Sequence, residues 1–213
     1  MMYDRVLVPL LFGGRGDTLF KIGKQMAQIA CPVVRVVPSM VHRHLMDMST
    51  LFVTEVLPPE LYCDVLLPRG AKSLKFVQGH NIFVPFGSGR SGVRAARNAV
   101  SLAKALGLSV VFYHTAWRRP EIKSEDPFVH MTKEAMAVGE EMRALAQHEC
   151  VEYRTVIETA DTVMAGVMRR ALLERAALMV LIHGDEVRKG SYVDRLAKVS
   201  PVPLLVLKKG VGS

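Results

Sequence analysis

The chain has 213 residues, 50% of them apolar and 23% charged, with a formal net charge of +8. That length allows one large domain or two small ones, and the Val, Leu, Ile and Met content is enough to bury a core, which excludes a disordered or collagen-like chain. No apolar run approaches the roughly 18–20 residues that span a bilayer, so no membrane-spanning segment is expected.

Met1 to Arg5 lack the apolar region and cleavage site of a secretory signal. Three cysteines, Cys31, Cys63 and Cys150, are an odd number without CxxC spacing. They suggest neither a disulfide framework nor a zinc site, and a cytoplasmic location is the simplest expectation. Residues 1–79 carry +3 and residues 80–213 carry +5. The basic pairs Arg118–Arg119, Arg169–Arg170, Arg188–Lys189 and Lys208–Lys209 are scattered, so no nucleic-acid arm is expected.

In chain order, Tyr3 to Leu10 reads as a strand, and Leu19, Ile22, Met26 and Ile29 form one helical face. Val33 to Val37 is a second strand. Residues 41–63 hold no convincing helix–strand–helix pattern, Cys63 to Pro68 reads as a final strand of this part, and Arg69 to Gly79 as a linker. Asn81 to Phe86 is a short apolar strand. The helix over Ser91 to Leu106 has its apolar face at Val93, Ala96, Val100, Ala103 and Leu106, and Gly107 stands where a helix end favours positive φ. Leu108 to His114 follows as a strand, then a polar connection over 117–126, then a helix marked by Met131, Ala135, Val138, Met142 and Leu145. Val151 to Glu158 reads as a strand, and Val163 to Leu172 as a helix with Asp161 as its expected N-cap. Ala177 to Ile182 is the most apolar strand, Ser191 to Val199 a short helix, and Val202 to Leu207 the last strand.

Strands alternating with helices over 80–213 imply parallel pairing through right-handed crossovers. The expected fold is a doubly wound α/β sandwich with a five-stranded parallel sheet of order 3-2-1-4-5, preceded by a shortened α/β unit. Val8-Pro9 recurs as Val84-Pro85 at an offset of 76 residues, each pair opening into a Gly/Arg loop, GGRGD at 13–17 and GSGRSG at 87–92. This internal repeat divides the chain into 1–79 and 80–213.

With these residues in view, the chain resembles the universal stress protein family in tandem form. Three features carry the resemblance: the strand ending in Val-Pro before a Gly/Ser loop, in both halves; the apolar strand Ala176 to Ile182; and Gly190-Ser191, followed by a helix and Ser200-Pro201-Val202-Pro203-Leu204-Leu205-Val206. Nucleotide-binding members of that family place an Asp after the first strand and a long glycine loop after the fourth. Here the Asp position falls on Gly87, and roughly on Leu11 in the first half. The loop after the fourth strand runs only from Gly184 to Gly190, and of its motif Gly190 and Ser191 match. The resemblance therefore implies a stress-response or regulatory module that departs from the usual ATP site.

Gly87-Ser88-Gly89-Arg90-Ser91-Gly92 fits GxGxxG between a strand and a helix. Three readings stay open for it: a tight turn, a degenerate nucleotide or anion site, and a dinucleotide fingerprint. The acidic residue that a fingerprint needs near the end of the next strand is missing; the stretch reads His114, Thr115, Ala116, Trp117, with Arg118 and Arg119 able to meet a 2′-phosphate. The 183–191 loop holds His183, Asp185, Glu186, Arg188 and Lys189 and ends at a helix N-terminus, where orphan N–H groups attract anions. The candidate ligand-binding residues are Gly87, Ser88, Gly89, His183, Gly184, Arg188, Gly190 and Ser191. Adenine nucleotide or phosphate is the candidate ligand, with NADP as the dinucleotide alternative. His42 and His44 lack the further ligands of a metal set, and no metal or catalytic constellation is named. The sequence thus favours a non-enzymatic module over a nucleotide-dependent enzyme. The apolar last strand would be an exposed edge, so it is expected to be covered, either by a homodimer partner or by the Cys63–Pro68 segment as an intramolecular pseudo-dimer.

Overall fold

The computed structural model describes residues 5–9, 14–27, 33–36, 50–58, 63–116, 126–183 and 190–208. The chain divides into two compact units, one formed by Met1–Lys75 with Ile182–Ser213 and the other by Phe76–Leu181.

The first unit contains β1 (Arg5–Pro9), α1 (Gly14–Ala27), β2 (Val33–Val36), β3 (Thr50–Val53) and β4 (Asp64–Leu67). From the C-terminal part it adds α5 (Tyr192–Val199) and β9 (Leu204–Lys208). The strand order is β2-β1-β3-β4-β9. All pairs are parallel except β4 with β9, where Val65 lies opposite Val206 and Leu67 opposite Leu204. The β-α-β opening expected from residues 3–37 is present. Leu19, Ile22 and Met26 are buried, and they form the α1 face against β1 and β2.

β3 adds a strand to residues 41–63, a stretch in which the sequence shows no convincing helix–strand–helix pattern. Thr50 to Val53 is too short to show a period, and all four residues are buried, so neither alternation nor helical spacing marks it. With β3 in place, the first half keeps strands 2, 1, 4 and 5 of a 3-2-1-4-5 order. Its final strand, β4, covers an edge of β9, which is the intramolecular alternative expected for that strand. The Asp64 carboxylate extends this pairing by accepting from the Lys208 N–H at 2.8 Å.

The second unit contains β5 (Asn81–Pro85), α2 (Ser91–Leu106), β6 (Ser109–Ala116), α3 (Lys133–His148), β7 (Tyr153–Thr159) and α4 (Val163–Leu173). It also holds most of β8 (Ala176–His183). Its strand order is β8-β5-β6-β7, with the pairs β5–β6, β5–β8 and β6–β7 all parallel. These are the first four positions of the expected order.

Strand alternation assigns the helices of this unit to faces. Phe112 and His114 of β6 point to one face, where Phe86 stacks on His114 with centroids 5.1 Å apart. A Cβ on Gly92 of α2 would lie 3.0 Å from Phe86 Cβ and 3.2 Å from Val138 Cγ1 of α3, so glycine is what lets the two helices close over Phe86. Tyr113 and Thr115 point to the other face, towards Gly166 of α4.

The helix ends follow from local chemistry. Gly107 caps α2 with φ 64°, as expected. Thr132 caps α3 by accepting from Ala135 N–H at 3.1 Å. The N-cap of α4 is Thr162 rather than Asp161: its extended backbone brings Oγ1 to 3.2 Å from Ala165 N–H. β7 begins at Tyr153 rather than Val151, because Val151 N–H is held by Ala146 carbonyl in the turn that closes α3.

Candidate functional site

Gly87, Ser88 and Gly89 follow β5 in the second unit and are exposed. A Cβ on Gly87 would meet nothing within 4 Å, and one on Gly89 only Ser91 Oγ at 3.6 Å. Neither glycine is required by packing or by positive φ; Gly92 is the packing glycine of the motif. At the start of α2 the N-cap residue is Arg90, with no side-chain cap and no acid in the first turn. Gly92 and Val93 N–H groups are taken by the carbonyls of Gly89 and Arg90.

Beside this loop lies a residue that the sequence reading passed over. His114 Nδ1 is 2.9 Å from the Phe86 carbonyl, so Nδ1–H donates and the tautomer is fixed. Burial holds its pKa below the ordinary 6.5, only partly offset by that backbone bond. On the opposite face, Tyr113 is fully buried and burial raises its pKa. Among the described residues its hydroxyl has no partner in full hydrogen-bond geometry, and the Thr115 hydroxyl beside it offsets the rise only in part.

In the first unit, His183 ends β8, Gly190 has φ 77°, and Ser191 is the N-cap of α5. The structure brings these three together. His183 Nε2 lies 3.2 Å from Ser191 Oγ. The same Oγ accepts from Asp194 N–H at 3.2 Å, and Gly190 N–H donates to Asp194 Oδ2 at 2.7 Å. Lys198 closes the set with Nζ 2.9 Å from Asp194 Oδ2. Asp194 was missed by the sequence reading, although Ser191-x-x-Asp194 has the spacing of a reciprocal N-terminal cap. Its consequence is chemical: the Gly190 N–H donor is already engaged, the Ser191 oxygen is used as an acceptor, and a carboxylate sits in the first turn, where it opposes an incoming anion.

Gly184 and Arg188 lie outside the described residues, as do His42, His44, Arg118, Arg119, Asp185, Glu186 and Lys189. Among the described residues, no group of three His, Cys, Asp or Glu side chains is placed to hold a metal, and no helix is long and apolar enough to cross a membrane.

Comparison with solved structures places this architecture. A universal stress protein from Archaeoglobus fulgidus DSM 4304 matches with a TM-score of 0.70 at 12% identity, over 99% of this chain and 100% of that one. The chain has the universal stress protein fold. A functionally unknown protein, PA1789, from Pseudomonas aeruginosa PAO1 matches with a TM-score of 0.56 at 12% identity, over 97% of this chain and 82% of that one. A second universal stress protein from Archaeoglobus fulgidus matches with a TM-score of 0.50 at 17% identity, over 61% of this chain and 93% of that one. No family model matches the chain, and no curated protein matches it by sequence.

Proposed function

We propose that this chain is a non-enzymatic, cytoplasmic regulatory module built from two universal-stress-protein-like halves, 1–79 and 80–213. It takes a small anion weakly and does not hold ATP in the manner of the nucleotide-binding members. The observation that carries this reading is the engagement of the Gly190 N–H by the Asp194 carboxylate, which stands in the first turn beside Ser191. Those are the residues that match the family's phosphate-holding Gly-Ser. In this chain their polar groups serve the helix cap. Gly87 supports the same reading, since it offers no carboxylate to a base. Losing that acceptor removes ~1 kcal/mol or more, and each lost charge-assisted bond to phosphate about 1.5–3 kcal/mol. Together they weaken nucleotide binding by a factor on the order of 10³.

Calorimetry with ATP, AMP, NADP and inorganic phosphate, beside an ATP hydrolysis assay, tests the proposal. Weak phosphate binding without turnover is expected. Submicromolar ATP affinity lost on Ser191→Ala would overturn it. A second reading, a nucleotide- or dinucleotide-dependent enzyme, is favoured by one observation: the open space over Gly87 and Gly89, beside a helix start with no side-chain cap. NADP binding abolished by Gly89→Val, a change that this open position tolerates, would establish it.

A further inference from the structure

β7 stands at the end of the strand order of the second unit, and among the described residues no strand pairs with its outer edge. Its sequence, Tyr-Arg-Thr-Val-Ile-Glu-Thr, contains no proline or lysine, and its register with β6 runs without a bulge from Tyr153 to Thr159. Proline, lysine and a bulge, three of the devices that blunt an edge, are therefore missing over a strand of seven residues, and its two charges, Arg154 and Glu158, are of opposite sign.

The direction of its free groups follows from one bond. Val110 N–H donates to Glu152 carbonyl, so residue 152 faces β6. In a parallel pair the backbone groups of alternate residues face the same side. Arg154, Val156 and Glu158 thus face β6 with their backbone, while Tyr153, Thr155, Ile157 and Thr159 present theirs outward.

Antiparallel pairing of β7 with a second copy about Val156 puts Thr155 opposite Ile157 and Tyr153 opposite Thr159. All four have outward backbone groups, so each of these pairs makes the two bonds of a hydrogen-bonded pair. Arg154 then falls opposite the second copy's Glu158, in the non-hydrogen-bonded position where side chains approach most closely. The strand is self-complementary in backbone polarity, and its two charges, which also hold ion pairs within the chain to Glu174 and to Arg169 and Arg170, fall opposite their counter-charges.

The surroundings agree. Three of the nine exposed large apolar side chains among the described residues lie on elements packed on β7, and three more on α4, which packs on β6. Phe128, Val129 and Met136 belong to the turn at Pro127–His130 and to α3, both packed on β7. Val163, Leu172 and Leu173 belong to α4, which is tied to β7 through Glu158 with Arg169 and Arg170, and Arg154 with Glu174. A two-fold axis normal to the sheet keeps each face with its counterpart, so the Phe128, Val129 and Met136 group would face its own copy.

We propose that β7 is the seam of a symmetric homodimer, in which two copies join their second-unit sheets antiparallel about Val156. β4 already covers an edge of β9, so this seam is distinct from one made through the last strand.

The test is sedimentation equilibrium of the intact chain up to about 100 μM, a range in which a standard-size interface is populated. A dimer is expected. Ile157→Pro removes an outward N–H at an edge position that tolerates proline, and should raise the dissociation constant at least about tenfold. Should that variant fail to fold, Phe128→Asp, at an exposed position of the turn packed on β7, should weaken the dimer in the same direction. Val156→Cys in a Cys150→Ser background should form an interchain disulfide under mild oxidation. Opposed Cα atoms at such a pair are about 4.5 Å apart, within disulfide range. Val77→Cys, exposed in a turn, is the control. A chain monomeric at the top of the range, a dimer indifferent to these variants, or cross-linking no faster than the control overturns the proposal. A monomer that captures an acidic peptide or anionic vesicles on this face would also overturn it, in favour of another occupant.

Discussion

Asp194→Ala separates the stability of the α5 N-terminus from its affinity for anions. The carboxylate accepts from Gly190 N–H at 2.7 Å, sits in the first helical turn, and pairs with Lys198 four residues on. An acid in the first turn is worth about 0.3–1 kcal/mol. An i,i+4 pair with an exposed lysine adds about 0.3–0.5 kcal/mol. The Gly190 bond contributes modestly, because the residue is exposed and water replaces the partner. The total is about 1–2 kcal/mol, which lowers Tm by about 2–8 °C for a chain of this size. Phosphate affinity should move the other way. One like charge about 5 Å from the anion is removed, and one N–H donor is returned. At near-aqueous screening these sum to about 1.4 kcal/mol, a tenfold gain. Differential scanning fluorimetry and phosphate calorimetry on the same preparation measure both. Lys198→Ala, which leaves the Gly190 bond intact, should reproduce little of either effect. A variant that melts lower but binds phosphate no better would show that Asp194 is a cap and not an obstruction, and would remove the main support for the proposed function.

Three further outcomes follow from the second unit. Gly166→Ala places a Cβ 2.6 Å from the Tyr113 hydroxyl and should cost about 1–3 kcal/mol by overpacking; adding Tyr113→Phe, which deletes the clashing hydroxyl, should recover most of that loss in urea unfolding, and no recovery would refute the steric account. Glu174→Ala removes a buried carboxylate that joins Arg170 at 2.5 Å and also Arg154, and should cost about 2–3 kcal/mol, below the range for fully buried pairs because Arg154 is largely exposed; a change under about 0.5 kcal/mol would mean the network is only a surface ion pair. For His114 the folded pKa is lowered by burial, so the unfolded chain binds more protons as pH falls through the ordinary 6.5. Its contribution is intact above that pH, is lost on acidification and levels off below the folded pKa. Urea midpoints at about pH 7.5 and 5.5 should fall less for His114→Gln than for the natural chain, and equal falls would exclude this histidine as the source.

The parts of the fold legible in the sequence are those where one face of an element is buried and the other is wet. α2 declares itself through Val93, Ala96, Val100 and Ala103, all buried, and β8 through an unbroken apolar run. β3 was invisible because four buried residues have no exposed face to set a period. The N-cap of α4 was misplaced by one residue because Asp161 and Thr162 both have the capping chemistry, and only backbone geometry chooses between them. At the candidate site, Gly190 and Ser191 were legible from their order, but the meaning of that pair was not. Whether a Gly-Ser turn offers its N–H groups to a ligand depends on a side chain four residues on, and the residue type alone does not say which way that carboxylate folds.

The same contrast separates β9 from β7, the strand at the end of the second unit's order. β9 is apolar from Leu204 to Leu207, and the sequence marks it as an edge in need of cover; the cover is β4, from the first half of the same chain. β7 was read as an ordinary strand, because half-buried positions and mixed polarity look harmless in one dimension. Its complementarity emerges only when the direction of its backbone groups is known, since a shift of one residue would oppose inward to outward groups and part Arg154 from Glu158. An internal pairing at β9 and an open, self-matching edge at β7 belong to one argument. With β9 paired to β4 within the chain, an antiparallel extension to a second copy has β7 as its self-complementary site.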